Sequence, residues 1–228
     1  MQNFSSNLAL LTDFYQLTMM QGYFFLKPRE VAVFDMYYRK NPSGGGYAIF
    51  CGLNEVIDYI ENLHFSKDDI AYLRSLGNFK DEFLSYLENF KFSGEIYAFD
   101  EGEVVFPHEP LLRVKASIIE AQLIETALLN TLNFQTLIAT KSSRINSSAK
   151  GDLVMEFGLR RAQDKSAAIF GAKAAIIGGC ASTSNVLAAK IFDVPAVGTH
   201  SHAWIQSFPS ELEAFRAYAE IYPDSALL

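Results

Sequence analysis

Three short apolar runs in the last third of the chain are each followed by residues suited to handling anions. Glu156, Arg160 and Arg161 close and follow the run at 153–157, LVMEF. Cys180, Ser182 and Thr183 follow the run at 174–178, AAIIG, across the pair Gly178-Gly179. Thr199, His200, Ser201 and His202 follow the run at 194–198, VPAVG. A guanidinium grips a carboxylate or phosphate through two hydrogen bonds. A Gly/Ser/Thr loop that opens a helix presents backbone N–H groups to an anion. An imidazole beside them can serve as base or nucleophile. Together these types point to phosphate chemistry at one end of a sheet.

Each piece also has a plainer structural reading. The arginine pair could be a solvated helix start. Gly178-Gly179 could simply allow close packing. His200 and His202 share a face only if the chain is extended there. Zinc would want more ligands than this, since Cys180 is the one nearby thiol, so no metal site is expected. The chain has neither a GxxxxGK[ST] phosphate loop nor a GxGxxG fingerprint.

Short buried strands alternating with helices at ~20-residue spacing predict parallel βαβ units, and in a parallel barrel chemistry gathers where strands end. The pattern predicts helices from about Arg160, Ser182 and Ser210, the last with the capping pair Ser210/Glu213. Another strand is expected to begin within Asp224–Leu228. Upstream, residues 7–26 read as a helix capped by Asn7 or Thr12, and 31–39 as an alternating strand. A Gly-rich turn at 41–46 leads to a second strand, 47–50. Short amphipathic helices at 53–90 carry the pair Ser66/Asp69, and 94–115 reads as strands broken at Pro107 and Pro110. The capping box Ser117/Glu120 starts a long helix to about Thr140. The predicted fold class is therefore α/β: an N-terminal α/β open-sheet domain (1–116), a connecting helix and linker (117–150), and the first part of an irregular, incomplete α/β barrel (151–228, three βα units). The cluster Phe14, Tyr15, Tyr23, Phe24 and Phe25 reads as core, with one face able to stack on a flat ring.

Composition narrows the function classes. The net charge of −7 argues against nucleic acid as the partner. Half the residues are hydrophobic, enough to build a core, yet no apolar stretch reaches the ~18 residues of a membrane span. Two cysteines, Cys51 and Cys180, make no disulfide framework. The acid Asp13 precedes the first base, Lys27, unlike a signal peptide. A cytoplasmic protein is expected.

Four segments carry a family resemblance: LLTDFYQLTMMQGYF (10–24), GGYAIFCGLNEVIDYI (45–60), EFGLRRAQ (156–163) and GTHSHAWIQSF (198–208). In order and along nearly the whole chain, they resemble nicotinate phosphoribosyltransferase. The resemblance implies transfer of nicotinate onto 5-phosphoribosyl-1-diphosphate in NAD salvage, with ATP hydrolysis and Mg²⁺ accompanying the phosphates. It implies a dimer with active sites at the interface. His202 matches the histidine that ATP phosphorylates, Thr199 a nicotinate-site threonine, and Tyr15 a tyrosine that reaches the pyridine ring. Arg160, with its neighbour Arg161, falls where the family contacts carboxylate or phosphate. His200 departs from the pattern, which has an apolar residue there, and the spacing from Thr199 favours His202 as the phosphorylated one. The related nicotinamide phosphoribosyltransferase has an acid where Ser182 falls, and a serine favours the nicotinate carboxylate. Family members are about twice as long. The resemblance therefore implies an N-terminal half, inactive alone, completed by a second copy or a complementary chain. The alternatives are a non-catalytic nicotinate-binding remnant or subunit and a nicotinamide-using enzyme.

Overall fold

The computed structural model describes residues 7–226. Helix α1 spans Phe14–Leu26 and begins after Asp13, later than the sequence pattern suggests. Asn7 and Thr12 do not cap it. The Asn7 amide binds Asp69 and Thr12 donates to the Leu123 carbonyl, so both tie the segment before α1 to other helices.

Strand β1 (Val31–Met36) pairs antiparallel with β5 (Leu112–Ser117), and β5 pairs antiparallel with β3 (Glu95–Ala98). The sheet order is β1-β5-β3. Alternation along β5 sorts its side chains: Leu112, Val114 and Ala116 are buried, and Arg113 and Lys115 face water. On the wet face the register sets Arg113 against Asp35 and Lys115 beside Glu95, and both pairs form ion bridges. A two-residue pair, β2 (Ala48–Ile49) with β4 (Val104–Val105), sits apart from this sheet.

Helices α2 (Leu53–Glu61), α3 (Lys67–Ser75) and α4 (Asp81–Glu88) share one apolar core with the buried side chains of β5. Ser66 and Asp69 close a reciprocal capping box at α3, as the sequence predicts. The long helix α5 (Ile118–Ser148) starts where Ser117 accepts from the Glu120 N–H and runs 31 residues, about 46 Å at 1.5 Å per residue. Its first half enters the main apolar core through Leu123, Ile124, Leu128 and Leu132. Its second half packs against α6 (Lys165–Ile177).

The chain after α5 departs from the expected boundaries. Strand β6 is Met155–Glu156, followed by a 3-10 turn at Leu159–Arg161, and α6 begins only at Lys165. The run AAIIG is not a strand: residues 174–177 are the last turn of α6. Its alanines suit a close helix–helix contact, and a short apolar run alone does not distinguish strand from buried helix. The second strand, β7, is Ser182–Thr183, and α7 starts at Val186 with Asn185 as its cap. β6 and β7 pair in parallel, and Thr183 bridges in parallel to Ala196. Strand β6, α6, strand β7, α7 and the bridged segment at Ala196 alternate in the predicted βα order, shifted in register, but the third run forms a single bridge rather than a strand. Short α8 (His202–Gln206) and α9 (Glu211–Ile221) follow, the latter capped by Ser210 accepting from Glu213 N–H. Of the strand expected within Asp224–Leu228, residues 224–225 form a turn, and Leu227 and Leu228 lie outside the described residues. Among the described residues, no helix is long and apolar enough to cross a membrane.

Candidate functional site

Three parallel segments end side by side at Glu156, Thr183 and Val197. Hydrogen bonds from Ser184 N–H to the Glu156 carbonyl (2.9 Å) and from Val197 N–H to the Thr183 carbonyl (3.0 Å) hold the ends level. The loops that leave this edge carry Arg160 and Arg161, then Ser184 and Asn185, then Thr199 to His202. The segments bearing Arg160, Arg161, Thr199 and His202 thus leave the same end of the parallel strands.

Beneath the loops lies a polar network absent from that reading. The Glu156 carboxylate accepts from the Gly158 N–H with one oxygen and from the Thr183 hydroxyl, at 2.6 Å, with the other. Thr183 Oγ1 accepts from Asn185 N–H at 3.0 Å. Asn185 caps α7 by accepting from Ala188 N–H and donates to the Ala168 carbonyl of α6. Thr183 and Asn185 are buried, and buried polar groups need partners. The one sequence signal for this network is Asn185 standing just before an apolar helical run, where a cap belongs.

Arg160 and Arg161 are exposed on the 3-10 turn and make no ion pair among the described residues. Ser182 lies inside β7 and is buried, not in the loop after it. Gly178-Gly179 is the stop of α6, not a helix-opening anion loop. A β-carbon on Gly178 would stand 2.3 Å from the Ala139 carbonyl oxygen, so this glycine lets α6 approach the backbone of α5. Thr199 is exposed, with its hydroxyl donating to the His200 carbonyl at 3.2 Å.

The two histidines differ. His202 is exposed as the first residue of α8. The His200 ring is seated against Phe215 and Tyr218 of α9, with centroids 5.6 and 5.1 Å away, and both its nitrogens are buried. Tyr15 stands elsewhere, half exposed on α1, where its hydroxyl accepts from Gln16 at 2.9 Å. Partial desolvation, then the Glu125 and Asp13 carboxylates, hold its phenol above the usual value. The structure brings Arg160, Arg161, Thr199 and His202 to the strand ends and sets Tyr15 on the α1–α5 side.

A second buried cluster fixes α6 against the N-terminal region. Lys173 donates to both Glu55 oxygens (2.8 and 2.7 Å) and to Glu101 (3.0 Å). Glu101 also accepts from Gly52 N–H and Asn54, and Glu55 from Gln135. Burial by itself would lower the Lys173 ammonium, but its bonds to Glu55 and Glu101 outweigh that and raise it. Cys51, next to this cluster, is buried and its thiol is pushed up to about 12, chiefly by desolvation. That leaves it a weak nucleophile.

Fold and strand ends together define an α/β protein whose parallel strands open onto cationic, hydroxyl and imidazole side chains. The chain belongs to the nicotinate phosphoribosyltransferase family: residues 10–133 match that family's N-terminal domain and residues 153–223 its family domain. It is 43% identical over 220 residues to a nicotinate phosphoribosyltransferase of Mycobacterium tuberculosis, covering 96% of this chain and 48% of that one. It is 45% identical over 223 residues to the Bacillus subtilis nicotinate phosphoribosyltransferase, covering 97% and 46%. The crystal structure of human nicotinic acid phosphoribosyltransferase superposes with a TM-score of 0.80 at 32% identity, covering 86% of this chain and 40% of that one. The nicotinate-nucleotide pyrophosphorylase of Pyrococcus furiosus gives 0.78 at 26%, covering 97% and 51%. The chain thus spans about half the length of the relatives it matches.

Proposed function

We propose that this chain supplies the nicotinate-binding and histidine-bearing half of a nicotinate phosphoribosyltransferase acting in NAD salvage in the cytoplasm. The observation that carries the reading is that the segments bearing Arg160, Arg161, Thr199 and His202 leave adjacent strand ends in a family member. In the reaction, the pyridine nitrogen of nicotinate bonds to C1 of 5-phosphoribosyl-1-diphosphate as diphosphate leaves. Arg160 and Arg161 serve as unpaired cations for carboxylate or phosphate. Thr199 offers a hydroxyl, which can donate to a carboxylate that an acid would repel. Tyr15 stacks on the pyridine ring when a second copy, in a homodimer, brings α1 to the strand ends.

His202 is the residue that ATP phosphorylates: a ring nitrogen bonds to the γ-phosphorus and ADP leaves. Its exposure supports this assignment, and the aromatic seating of His200 argues against the neighbour. Mg²⁺ accompanies the phosphates. The described residues contain no group of three or more His, Cys, Asp or Glu side chains fit to hold a metal ion. Such a cage is not needed where substrate phosphates and water supply most ligands. This chain spans about half the length of its curated relatives, so turnover by these 228 residues is expected only together with residues that supply the other half.

The test is to measure native mass and nicotinate mononucleotide formation, with and without ATP. The chain is assayed alone and co-expressed with the coding sequence immediately downstream. The expected result is product only from the complex, with ATP stimulation that His202→Ala removes. Turnover by the chain alone overturns the claim that it is inactive. A complex that forms and binds nicotinate but makes no product overturns the catalytic reading and leaves a binding protein.

A further inference from the structure

Gly158 has an ordinary backbone, φ −86° and ψ −9°, so conformation does not require a glycine there. A β-carbon there would stand 2.7 Å from Glu156 Oε1, so a larger residue would make the carboxylate shift. That same oxygen receives the Gly158 N–H. The other carboxylate oxygen receives the Thr183 hydroxyl, which is fixed in turn by Asn185 N–H. Asn185 is bonded to both flanking helices. One carboxylate therefore ties the turn that bears Arg160 and Arg161 to the strand–helix frame. Both its oxygens are taken by neutral donors, and no ion pair joins it to either arginine. The acid anchors the turn without neutralising the cations that the turn presents.

We propose that Glu156 is a positioning residue: it holds the 157–161 turn so that the two guanidiniums stand free for an oxyanion, the carboxylate of nicotinate or a phosphate group. This rests on the reading of the strand ends as an anion site, and Arg160→Ala tests that reading separately. The chain is titrated calorimetrically with nicotinate and, in a second arm, with inorganic phosphate. Glu156→Gln and Thr183→Val are each expected to weaken binding about tenfold, the weight of one charge-assisted hydrogen bond. The unfolding midpoint of Glu156→Gln stays near that of the wild type, whereas Thr183→Val, which also leaves the buried Asn185 N–H without its acceptor, lowers it. Thr183→Ser, which keeps the hydroxyl, restores affinity, a rescue that a merely structural loss of fit does not give. Gly158→Ala weakens binding by itself but adds little on top of Glu156→Gln, because both weaken the same anchor, one by shifting the carboxylate and the other by removing its charge.

If Glu156→Gln binds like the wild type while Arg160→Ala loses binding, the positioning role is wrong and the anion site stands. If Arg160→Ala binds like the wild type, or the wild type takes neither probe, the anion reading fails. Amide hydrogen exchange then decides the anchoring by itself. Faster exchange at Gly158 in Glu156→Gln supports it, and unchanged exchange overturns it.

Discussion

Before residue 133 the fully buried side chains are large: Phe50, Phe83, Leu84, Leu87 and Leu123 among them. After residue 150 the buried apolar positions are almost all alanine, as at Ala168, Ala172, Ala174, Ala188 and Ala214. The large apolar side chains of the second region point outward instead, Leu153 at 76% and Val186 at 72% exposure. Besides alanine, Ile169 and Cys180, what the second region buries is polar: Lys173, Ser182, Thr183 and Asn185. The first region is held by apolar burial, which is strong and indifferent to direction. The second is held by directed bonds and by close approach to α5. Directed bonds fix positions, and it is the second region that carries the arginines and His202. Its exposed apolar faces are of the kind that a partner covers.

The largest effect expected from breaking this contrast is at Phe83. The ring is fully buried and touches Phe24, Phe79 and Tyr86 at 5.9 to 6.3 Å between centroids. Phe83→Ala should cost about 3–5 kcal/mol, read as a lower denaturation midpoint. A loss below ~1 kcal/mol would mean that the first region is not held by its core.

Lys173 tests the seam between the regions. Lys173→Met leaves Glu55 and Glu101 buried without their cation, and stability should fall by about 3 kcal/mol. The folded ammonium lies above its ordinary value of 10.5. The cluster therefore stabilises fully below an unfolded value of about 10.4, and that contribution is lost as pH rises through the folded value. Wild type should weaken in this alkaline window more steeply than Lys173→Met. Parallel profiles would show that the lysine is not coupled to the fold.

The same contrast explains what was legible in the sequence. Apolar periodicity and Ser-x-x-acid pairs locate the helices after Ser66, Ser117 and Ser210, because those signals are local. The strand ends bearing Arg160 and His202 are legible because they follow short runs interleaved with helices. Strand β7 is not. Its two residues are Ser and Thr, buried by a network that no hydropathy pattern registers, while the alanines of α6 imitate a buried strand. The Lys173 cluster joins residues up to 118 positions apart and leaves no local trace. Tyr15 is legible as an aromatic on a helix, but its distance from the strand ends depends on how α1 lies along α5.

Two helix caps give the smallest and sharpest comparison. Ser66 caps α3 in the first region through a reciprocal box with Asp69. Its removal in Ser66→Ala loses the cap alone, about 1 kcal/mol. Asn185 caps α7 in the second region, but its amide also donates to the Ala168 carbonyl, and its N–H binds Thr183. Asn185→Ala loses both the cap and the buried bond across to the Ala168 carbonyl, so about 2 kcal/mol is expected. Asn185→Asp separates the two losses. The carboxylate still accepts from Ala188 N–H as a cap, but it cannot donate to Ala168. If the second region is held by directed bonds, Asn185→Asp should be nearly as damaging as Asn185→Ala. Recovery to the level of Ser66→Ala would mean that the cap alone matters, and that the bond across to α6 is incidental.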